Sequence, residues 1–181
     1  MDTFATISKA RYSSRNYDPT RPVTAKQIQA LIEAAHLSPS CYNDQPWYFI
    51  LCNKETHPKS YEKVLGALVE FNQNWAKNAP LLIVSVADTL FMKDKKNNRW
   101  GHYDTGAAAV SMMYEATSLG LNAHQMGGFD EKKIQSEFKI PSRYVPMAVM
   151  AVGYAVSNEK PTPKDRRPIH EQFFEGAWAC K

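Results

Sequence analysis

Residues Leu81–Val86 read LLIVSV, and this stretch indicates the kind of core around which the chain folds. Apolar residues occupy successive positions instead of alternating with polar ones, which is typical of a strand covered on both faces. Two further runs have a similar character, WYFILC at Trp47–Cys52 and VPMAVMAVGYAV at Val145–Val156. The three runs together predict a buried sheet.

Helix signals fill the segments between these runs. Thr24 and Gln27 have the spacing of a capping box. Pro58 suits the first turn of a longer helix, whose apolar residues continue at helical spacing as far as Trp75. Asp130 can cap a short helix before the last apolar run.

Length and composition agree with a single domain. The chain has 181 residues, of which 44% are hydrophobic and 22% charged, enough apolar side chains for one core and too few charges for general disorder. We therefore expect one α+β domain over residues 1–181, with a buried mixed sheet. Its last part, about residues 157–181, is a proline-rich, basic tail that docks elsewhere.

Charge and cysteine usage restrict the partners. The formal net charge of +4 is mild, and no nucleic-acid reader motif accompanies it, so no nucleic-acid partner is expected. The longest apolar segments fall short of the roughly 18 residues of a membrane span, so no membrane partner is expected either. Three cysteines without metal-ligand spacing, and no signal peptide, favour a protein of the reducing cytoplasm.

Standard catalytic motifs do not occur in the chain. There is no G-x-S-x-G, P-loop, G-x-G-x-x-G after a strand, H-E-x-x-H or C-x-x-C pattern. Cys41 could be a nucleophile, although no motif supplies it with a partner and a small buried role suits it better. His124 is expected to be structural rather than catalytic. Chemistry, if present, is therefore expected from a cofactor and not from a metal or a protein nucleophile.

Five segments, taken in order, resemble the nitroreductase family of flavin enzymes. They are ARYSSRNY at Ala10–Tyr17, SPSCYNDQPW at Ser38–Trp47, FNQNWAKNAPLLIV at Phe71–Val84, LGLNAHQMGGFD at Leu119–Asp130 and KDRRPIHEQF at Lys164–Phe173. The resemblance implies a mixed sheet flanked by helices in an intertwined homodimer with exchanged C-terminal arms. It also implies one FMN in each of two clefts between the subunits.

A phosphate site is expected in the first of these segments. Arg11, Ser13 and Arg15 supply two guanidinium groups and a hydroxyl, which suit a doubly charged phosphate; the alternative is a solvated basic turn. The resemblance implies that Arg15 also approaches the pyrimidine end of the flavin, where its charge would stabilise the anionic reduced form. Arg166 and Arg167 would return from the tail to the phosphate, and the sequence leaves open which of them does so.

The other segments are expected to hold the flavin ring. The resemblance assigns Ser40 and Cys41 to a strip from the partner subunit, small enough for its backbone to lie along the ring. It assigns the amide of Asn72 to the polar edge of the flavin, and Gly127 and Gly128 to a loop whose N–H faces flavin N5. The expected cofactor-binding residues are Arg11, Tyr12, Ser13, Arg15, Pro39, Ser40, Cys41, Asn43, Asn72, Gln125, Met126, Gly127, Gly128, Arg166 and Arg167.

Two positions depart from the common pattern of the family. Most relatives carry serine where this chain has Cys41, a change that conserves size. The best-studied subgroup carries a lysine where this chain has Trp75, so more of the electrostatic stabilisation would fall on Arg15, or the flavin potential would be lower. Asn43 is expected to lock its loop by bonding to the loop backbone.

The resemblance implies an FMN-dependent oxidoreductase that passes hydride from NADH or NADPH, through flavin N5, to an acceptor such as a nitroaromatic or a quinone. Both substrates would use one cleft in turn, in a ping-pong scheme. The alternative is a flavin-binding or flavin-storage protein of the same fold without turnover. The sequence leaves open the physiological acceptor, the choice between NADH and NADPH, and the role of the Lys93–Arg99 loop, which is expected to be mobile.

Overall fold

The computed structural model describes residues 3–156 and 164–178. Its strands are β1 (Trp47–Asn53), β2 (Leu81–Asp88), β3 (Asn122–Met126) and β4 (Tyr144–Gly153). Its helices are α1 (Phe4–Ala10), α2 (Ala25–His36), α3 (Pro58–Ala67), α4 (Glu70–Ala76), α5 (Gly101–Ser118) and α6 (Glu131–Phe138). Within the described residues the four strands form one sheet in the order β1-β2-β4-β3.

Every pairing in this sheet is antiparallel. The α+β class is confirmed, but the prediction of a mixed sheet is wrong for the strands that the structure describes. The connection through α3 and α4 shows why, because it returns the chain to the end of the sheet at which β1 finishes, where Asn53 pairs with Leu81. A parallel neighbour would have needed a crossover to the opposite end.

Strand β2 lies in the middle of the core, and all 8 of its residues are buried. On one face, Leu82 and Val84 pack in a cluster with residues of α3, α4 and α6. On the other face, Leu81 and Ile83 pack with residues of α2 and α5. The doubly covered strand predicted from LLIVSV is confirmed.

The single helix predicted between β1 and β2 is in fact two helices, α3 and α4, separated by Leu68 and Val69. The Val69 N–H donates to the carbonyl of Gly128 at 3.0 Å, and Leu68 forms an isolated antiparallel bridge with Phe129. These contacts hold the two residues in an extended conformation. The break therefore seats the glycine loop that follows β3 against the start of α4.

The two outer strands, β1 and β3, are predicted least well from the sequence. It does not predict β3, because Asn122, His124 and Gln125 interrupt any apolar pattern. In the predicted buried strand Trp47–Cys52, only Cys52 is fully buried in this chain. The reason is that β1 pairs with β2 on one side only and forms the other edge of the sheet.

Helix ends are confirmed where capping groups specify them. The Thr24 hydroxyl accepts a bond from the Gln27 N–H at 3.2 Å, and the Gln27 side chain accepts one from the Thr24 N–H at 3.0 Å. The Asp130 carboxylate accepts a bond from the Lys133 N–H at 2.9 Å and begins α6. Within the described ranges, no helix combines the length and apolar character needed to cross a membrane.

Candidate cofactor site

A cluster of basic side chains forms where the N-terminal segment meets the C-terminal one. Arg11 directly follows α1, and its Nη1 donates to Ser13 Oγ at 3.4 Å. Lys164 Nζ donates to the carbonyl oxygens of Ser8 and Lys9, at 2.9 and 2.7 Å, in the last turn of α1. These contacts carry the start of the described C-terminal segment to the Arg11 side chain.

The charge of Arg166 also belongs to this cluster. Partial desolvation lowers the pKa of the Lys164 ammonium, and the like charges of Arg11 and Arg166 lower it further. Both arginines of the tail are exposed, but of Arg166 and Arg167 it is Arg166 whose charge acts on Lys164.

These cations have no carboxylate partner in the part of the chain that the structure describes. The ion pairs there are Lys63–Glu137, Lys96–Asp94 and Arg143–Asp88. The like charges of Arg11 and Arg166 therefore act on Lys164 without an ion pair among the described residues to offset them. A phosphate group, with two negative charges and several acceptor oxygens, matches this set of donors.

Arg15 is held beside α4. Its guanidinium carbon lies 5.2 Å from the ring centroid of Phe71, which is a cation–π contact. Asn72 follows on the same helix, and its Nδ2 donates to the Gly128 carbonyl at 3.1 Å. The structure thus brings together Arg15, Asn72 and the glycine loop, three features that the sequence analysis assigns to one site.

The two glycines of this loop differ in what requires them. A Cβ on Gly128 would lie 2.9 Å from both Asn72 Nδ2 and a methyl carbon of Val69, so the packing of α4 already demands glycine there. A Cβ on Gly127 would meet no described atom within 4 Å. Open space therefore lies over the Gly127 backbone, where a flat ligand can approach closely.

Trp75 and His124 lie in the core next to these residues. Their ring centroids are 4.7 Å apart, and Tyr17 also stacks on Trp75 with centroids 6.2 Å apart. Because the Trp75 side chain is only 9% exposed, it packs inward. Where a lysine would place a charge on the surface, Trp75 places none, and its indole ring does not replace that charge as a surface group because it lies in the core.

His124 fixes the backbone that precedes Arg15. Its Nδ1 lies 2.9 Å from the carbonyl oxygen of Ser14, and since a carbonyl only accepts, Nδ1 carries the proton. Burial lowers the pKa of His124, and the charges of Arg15 and Arg11 lower it further, against the opposing effect of the bond to Ser14. The ring is therefore neutral at pH 7.

The loop expected to serve a partner subunit lies on the other edge of the sheet. Pro39–Asn43 precedes β1, whereas Gln125 and Met126 belong to β3. Three strand spacings, about 14 Å, separate these two edges. A single chain therefore does not bring this loop to the basic cluster.

This loop is fixed by hydrogen bonds within its own chain. The Cys41 N–H donates to Asp104 Oδ2 of α5 at 3.0 Å, and Ser40 Oγ accepts from the Gln45 N–H at 3.0 Å. The prediction that the Asn43 side chain locks the loop is wrong. Asn43 instead takes a left-handed φ of 54° and offers its carbonyl to Gln45 Nε2 at 3.1 Å.

The side chains of two expected residues make contacts within the chain. Met126 is buried in the core at 3% exposure, so only its backbone can meet a ligand. Gln125 is half-buried, and its Nε2 donates to Met113 Sδ at 3.0 Å. Among the described residues, no group of three or more His, Cys, Asp or Glu side chains is arranged to hold a metal ion.

The model of the nitroreductase family matches residues 8–154 of the sequence. The chain belongs to the nitroreductase family. The Bacillus subtilis protein YdgI is 26% identical over 84% of this chain and 88% of its own length. The oxygen-insensitive NAD(P)H nitroreductase of Salmonella typhimurium is 21% identical over 93% of this chain and 97% of its own length.

A crystal structure of an oxidoreductase containing FMN has the same fold as this nitroreductase-family chain. Its TM-score is 0.88 at 29% identity, and the match covers 97% of this chain and 92% of that one. The family predicted from the five segments is thus confirmed, and with it the assignment of the chain as an oxidoreductase of the NAD(P)H nitroreductase class.

Sequence reasoning missed two residues at the candidate site of this nitroreductase. Lys164 stands two positions before Arg166 in the tail, and this local concentration of cations is the signal that could have included it. Asp104 is a carboxylate in a helix of small and apolar residues. Its burial at 4% exposure is explained by the bond that it accepts from Cys41.

The lowered pKa of His124 predicts an effect of pH on stability. In the unfolded chain the imidazole titrates near its ordinary value of about 6.5, and in the folded chain it titrates lower. The neutral imidazole therefore makes its full contribution to the free energy of unfolding above about pH 6.5. This contribution is lost as the pH falls through the pKa of His124 in the folded chain. In urea unfolding experiments between pH 7 and pH 5, the free energy of unfolding should decline less steeply with falling pH for His124→Asn than for the wild type. The exposed His36, changed to asparagine, controls for loss of a histidine, and an unchanged slope in His124→Asn would contradict the assignment.

Proposed function

We propose that this nitroreductase binds FMN and uses it to oxidise NADH or NADPH and to reduce a nitroaromatic or quinone acceptor, as a homodimer. The observation that carries the proposal is the group of cations at the end of α1, Arg11, Lys164 and Arg166, which form no ion pair among the described residues. When bound, FMN supplies a ring that accepts hydride from the nicotinamide and then passes the electrons to the acceptor in the same cleft. The chain contributes position and charge.

Arg11, Ser13, Lys164 and Arg166 would hold the phosphate of FMN. Two guanidinium groups, an ammonium and a hydroxyl supply enough donors for a single phosphate group. A dianion would relieve the repulsion that Arg11 and Arg166 exert on the Lys164 ammonium, and this relief would favour binding. A single phosphate site without a dinucleotide motif favours FMN over FAD.

Arg15 would supply positive charge beside the flavin ring. A bound ring covers the guanidinium from water, which strengthens its interaction with negative charge arriving during hydride transfer. Asn72 uses Nδ2 on Gly128, so its Oδ1 would accept a bond from the polar edge of the cofactor. Because Trp75 packs inward, Arg15 would be the main source of charge there.

The partner subunit would complete the site. Tyr103, Gly106 and Val110 lie on one side of α5, and the first and last are 73% and 40% exposed. An exposed apolar strip on a helix that is apolar on most sides is expected to be covered by another surface. Pairing two copies through this strip would bring the Pro39–Asn43 loop of one chain to the cation cluster of the other.

The tail of about residues 157–181 would form the arm that docks on the partner. Within its described part, Phe173 and Trp178 are 72% and 81% exposed. Large apolar side chains so exposed in a single chain are suited to burial against a second copy.

The dimer is tested at Gly106. A Cβ there meets no described atom within 4 Å, so a single chain tolerates a larger side chain. We expect Gly106→Leu to weaken association about tenfold or more in sedimentation velocity, because it intrudes on the partner surface. Gly66→Leu, at an exposed position of α3, is the matched control. Equal association of both variants, or a monomer that retains FMN, would contradict the proposed assembly.

The phosphate site is tested at Arg11. Arg11→Ala removes a charge-assisted hydrogen bond worth roughly 1.5–3 kcal/mol, so FMN affinity should fall about tenfold to a hundredfold in a fluorescence titration. Lys132→Ala removes a charge from the exposed side of α6 and should leave the affinity nearly unchanged. Equal losses in the two variants would show that the site is elsewhere, and a wild-type protein that binds no FMN would overturn the proposal.

Turnover is tested with FMN-saturated protein under anaerobic conditions. NADH or NADPH should bleach the visible flavin absorbance, a quinone should restore it, and steady-state plots at several quinone concentrations should be parallel. Arg15→Ala should slow the bleaching more than it weakens FMN binding, because its charge acts most strongly on the reduced cofactor. Flavin that dithionite reduces but neither nicotinamide touches would indicate storage instead of catalysis.

A further inference from the structure

The loop from Phe91 to Asn98 is joined to the loop that precedes β1. Asp44 Oδ1 accepts from the Met92 N–H at 2.9 Å, and Asp44 Oδ2 accepts from Asn98 Nδ2 at 3.2 Å. The rings of Tyr42 and Phe91 meet edge to face with centroids 6.0 Å apart. Backbone bonds across the turn, such as Phe91 N–H to the Lys96 carbonyl at 2.9 Å, also give the loop a definite conformation. The two loops therefore form one surface unit, while the mobility of Lys93–Arg99 stays a prediction.

A cavity of about 440 Å³ opens between these loops. It is lined by Tyr42, Asp44, Phe91, Lys93, Asp94, Lys96 and Asn97. Cavities of about 300–1,000 Å³ hold ligands of the size of a nucleotide portion. This cavity is separate from the cation cluster at the end of α1, which lies toward the other edge of the sheet.

Tyr42 presents its ring to this cavity at a cost in backbone strain. It has a left-handed φ of 53°, which is unfavourable for a bulky residue. Its side chain is 91% exposed, so no burial in this chain offsets the strain. Such outliers persist where the surrounding structure imposes them, and they concentrate at ligand contacts. With Phe91, Tyr42 offers an aromatic surface on which a flat ring can stack.

Two lysines and two carboxylates line this cavity, so their formal charges balance. Asp44 already accepts two hydrogen bonds, and Asp94 pairs with Lys96 at 3.2 Å. Lys93 has no ion-pair partner among the described residues. Its ammonium is therefore available to an anionic group on a ligand that stacks against Tyr42.

We propose that this cavity binds the adenosine end of NADPH, with the adenine ring stacked on Tyr42 and the 2′-phosphate on Lys93. The inference rests on the proposed function, in which the neighbouring Pro39–Asn43 strip lines the flavin cleft of the partner subunit. The nicotinamide ring enters that cleft to donate hydride, and the adenosine end of the same molecule stays at the cleft mouth. In that assembly the unit formed by the two loops would lie at the mouth of the cleft, where Lys93 would favour NADPH over NADH.

Binding can be tested without turnover. Adenosine 2′,5′-bisphosphate should bind to the oxidised, FMN-loaded protein more tightly than adenosine 5′-monophosphate in isothermal titration calorimetry. Lys93→Gln should weaken bisphosphate binding about twofold to fivefold, in line with one exposed charge pair, and Lys93→Glu should weaken it further. Lys59→Gln, at an exposed position of α3 near the other end of β1, is the matched control. The preference of the wild type for adenosine 2′,5′-bisphosphate over adenosine 5′-monophosphate should decrease as ionic strength rises.

Steady-state kinetics supply the second measurement. The ratio of the KM for NADPH to the KM for NADH should rise about twofold to fivefold in Lys93→Gln and stay at the wild-type ratio in Lys59→Gln. Bisphosphate binding that is equal in Lys93→Gln, Lys59→Gln and the wild type would overturn the inference. An effect of Lys93→Gln confined to the KM of a charged acceptor such as 4-nitrobenzoate would overturn it as well, by assigning the cavity to the acceptor. Absence of turnover with both nicotinamides would instead count against the proposed function, while the calorimetry still decides the binding site.

Discussion

The rest of the structure depends on the complete burial of β2. Both faces of this strand are covered by helices and both of its edges pair with neighbouring strands, so it leaves no surface for a ligand. Function is therefore displaced to the outer strands and the loops at the ends of the sheet. The end of β2 also positions those loops, because the Asp88 N–H donates to the Pro46 carbonyl at 2.7 Å. A Cβ on Gly101 would lie 2.1 Å from the Asp88 carbonyl oxygen, so only glycine allows α5 to begin this close to the strand.

The same sheet order divides the candidate site. The segment from Arg11 to Arg15, the start of α4 and the glycine loop gather at the β3 edge, while Pro39–Asn43 lies at the β1 edge. With β2 and β4 between them, no local rearrangement brings the two groups together. In the proposed homodimer, the two groups that contact one flavin come from different chains. The apolar strip on α5 is then the surface through which the two copies would pair.

Local chemistry determined which parts of the structure could be predicted from the sequence. The doubly buried β2 follows from a run without alternation, and the start of α2 follows from a capping box, because both signals lie within a few residues. The break between α3 and α4 depends on the carbonyl of Gly128, which is distant in sequence, so helical spacing alone suggested one continuous helix. The inward position of Trp75 likewise depends on Tyr17 and His124. At the candidate site, residue types indicated the basic residues, but not that Lys164 bonds to α1 or that Met126 is buried.

The distribution of ion pairs distinguishes two kinds of basic site. Arg143 lies 3.0 Å from the buried Asp88 carboxylate, where an unpaired charge would be costly. Arg11 and Arg166 repel the Lys164 ammonium, and these three cations form no ion pair among the described residues. The repulsion raises the free energy of the ligand-free chain. An anion that binds there gains from relief of that repulsion, as suits a resident cofactor held tightly. The Lys93–Arg99 loop instead includes Asp94, which pairs with Lys96, and Asp44 lies beside it. The electrostatic field of this loop is therefore weaker than that of the cation cluster at the end of α1. A weaker field suits substrates that bind and leave in each cycle.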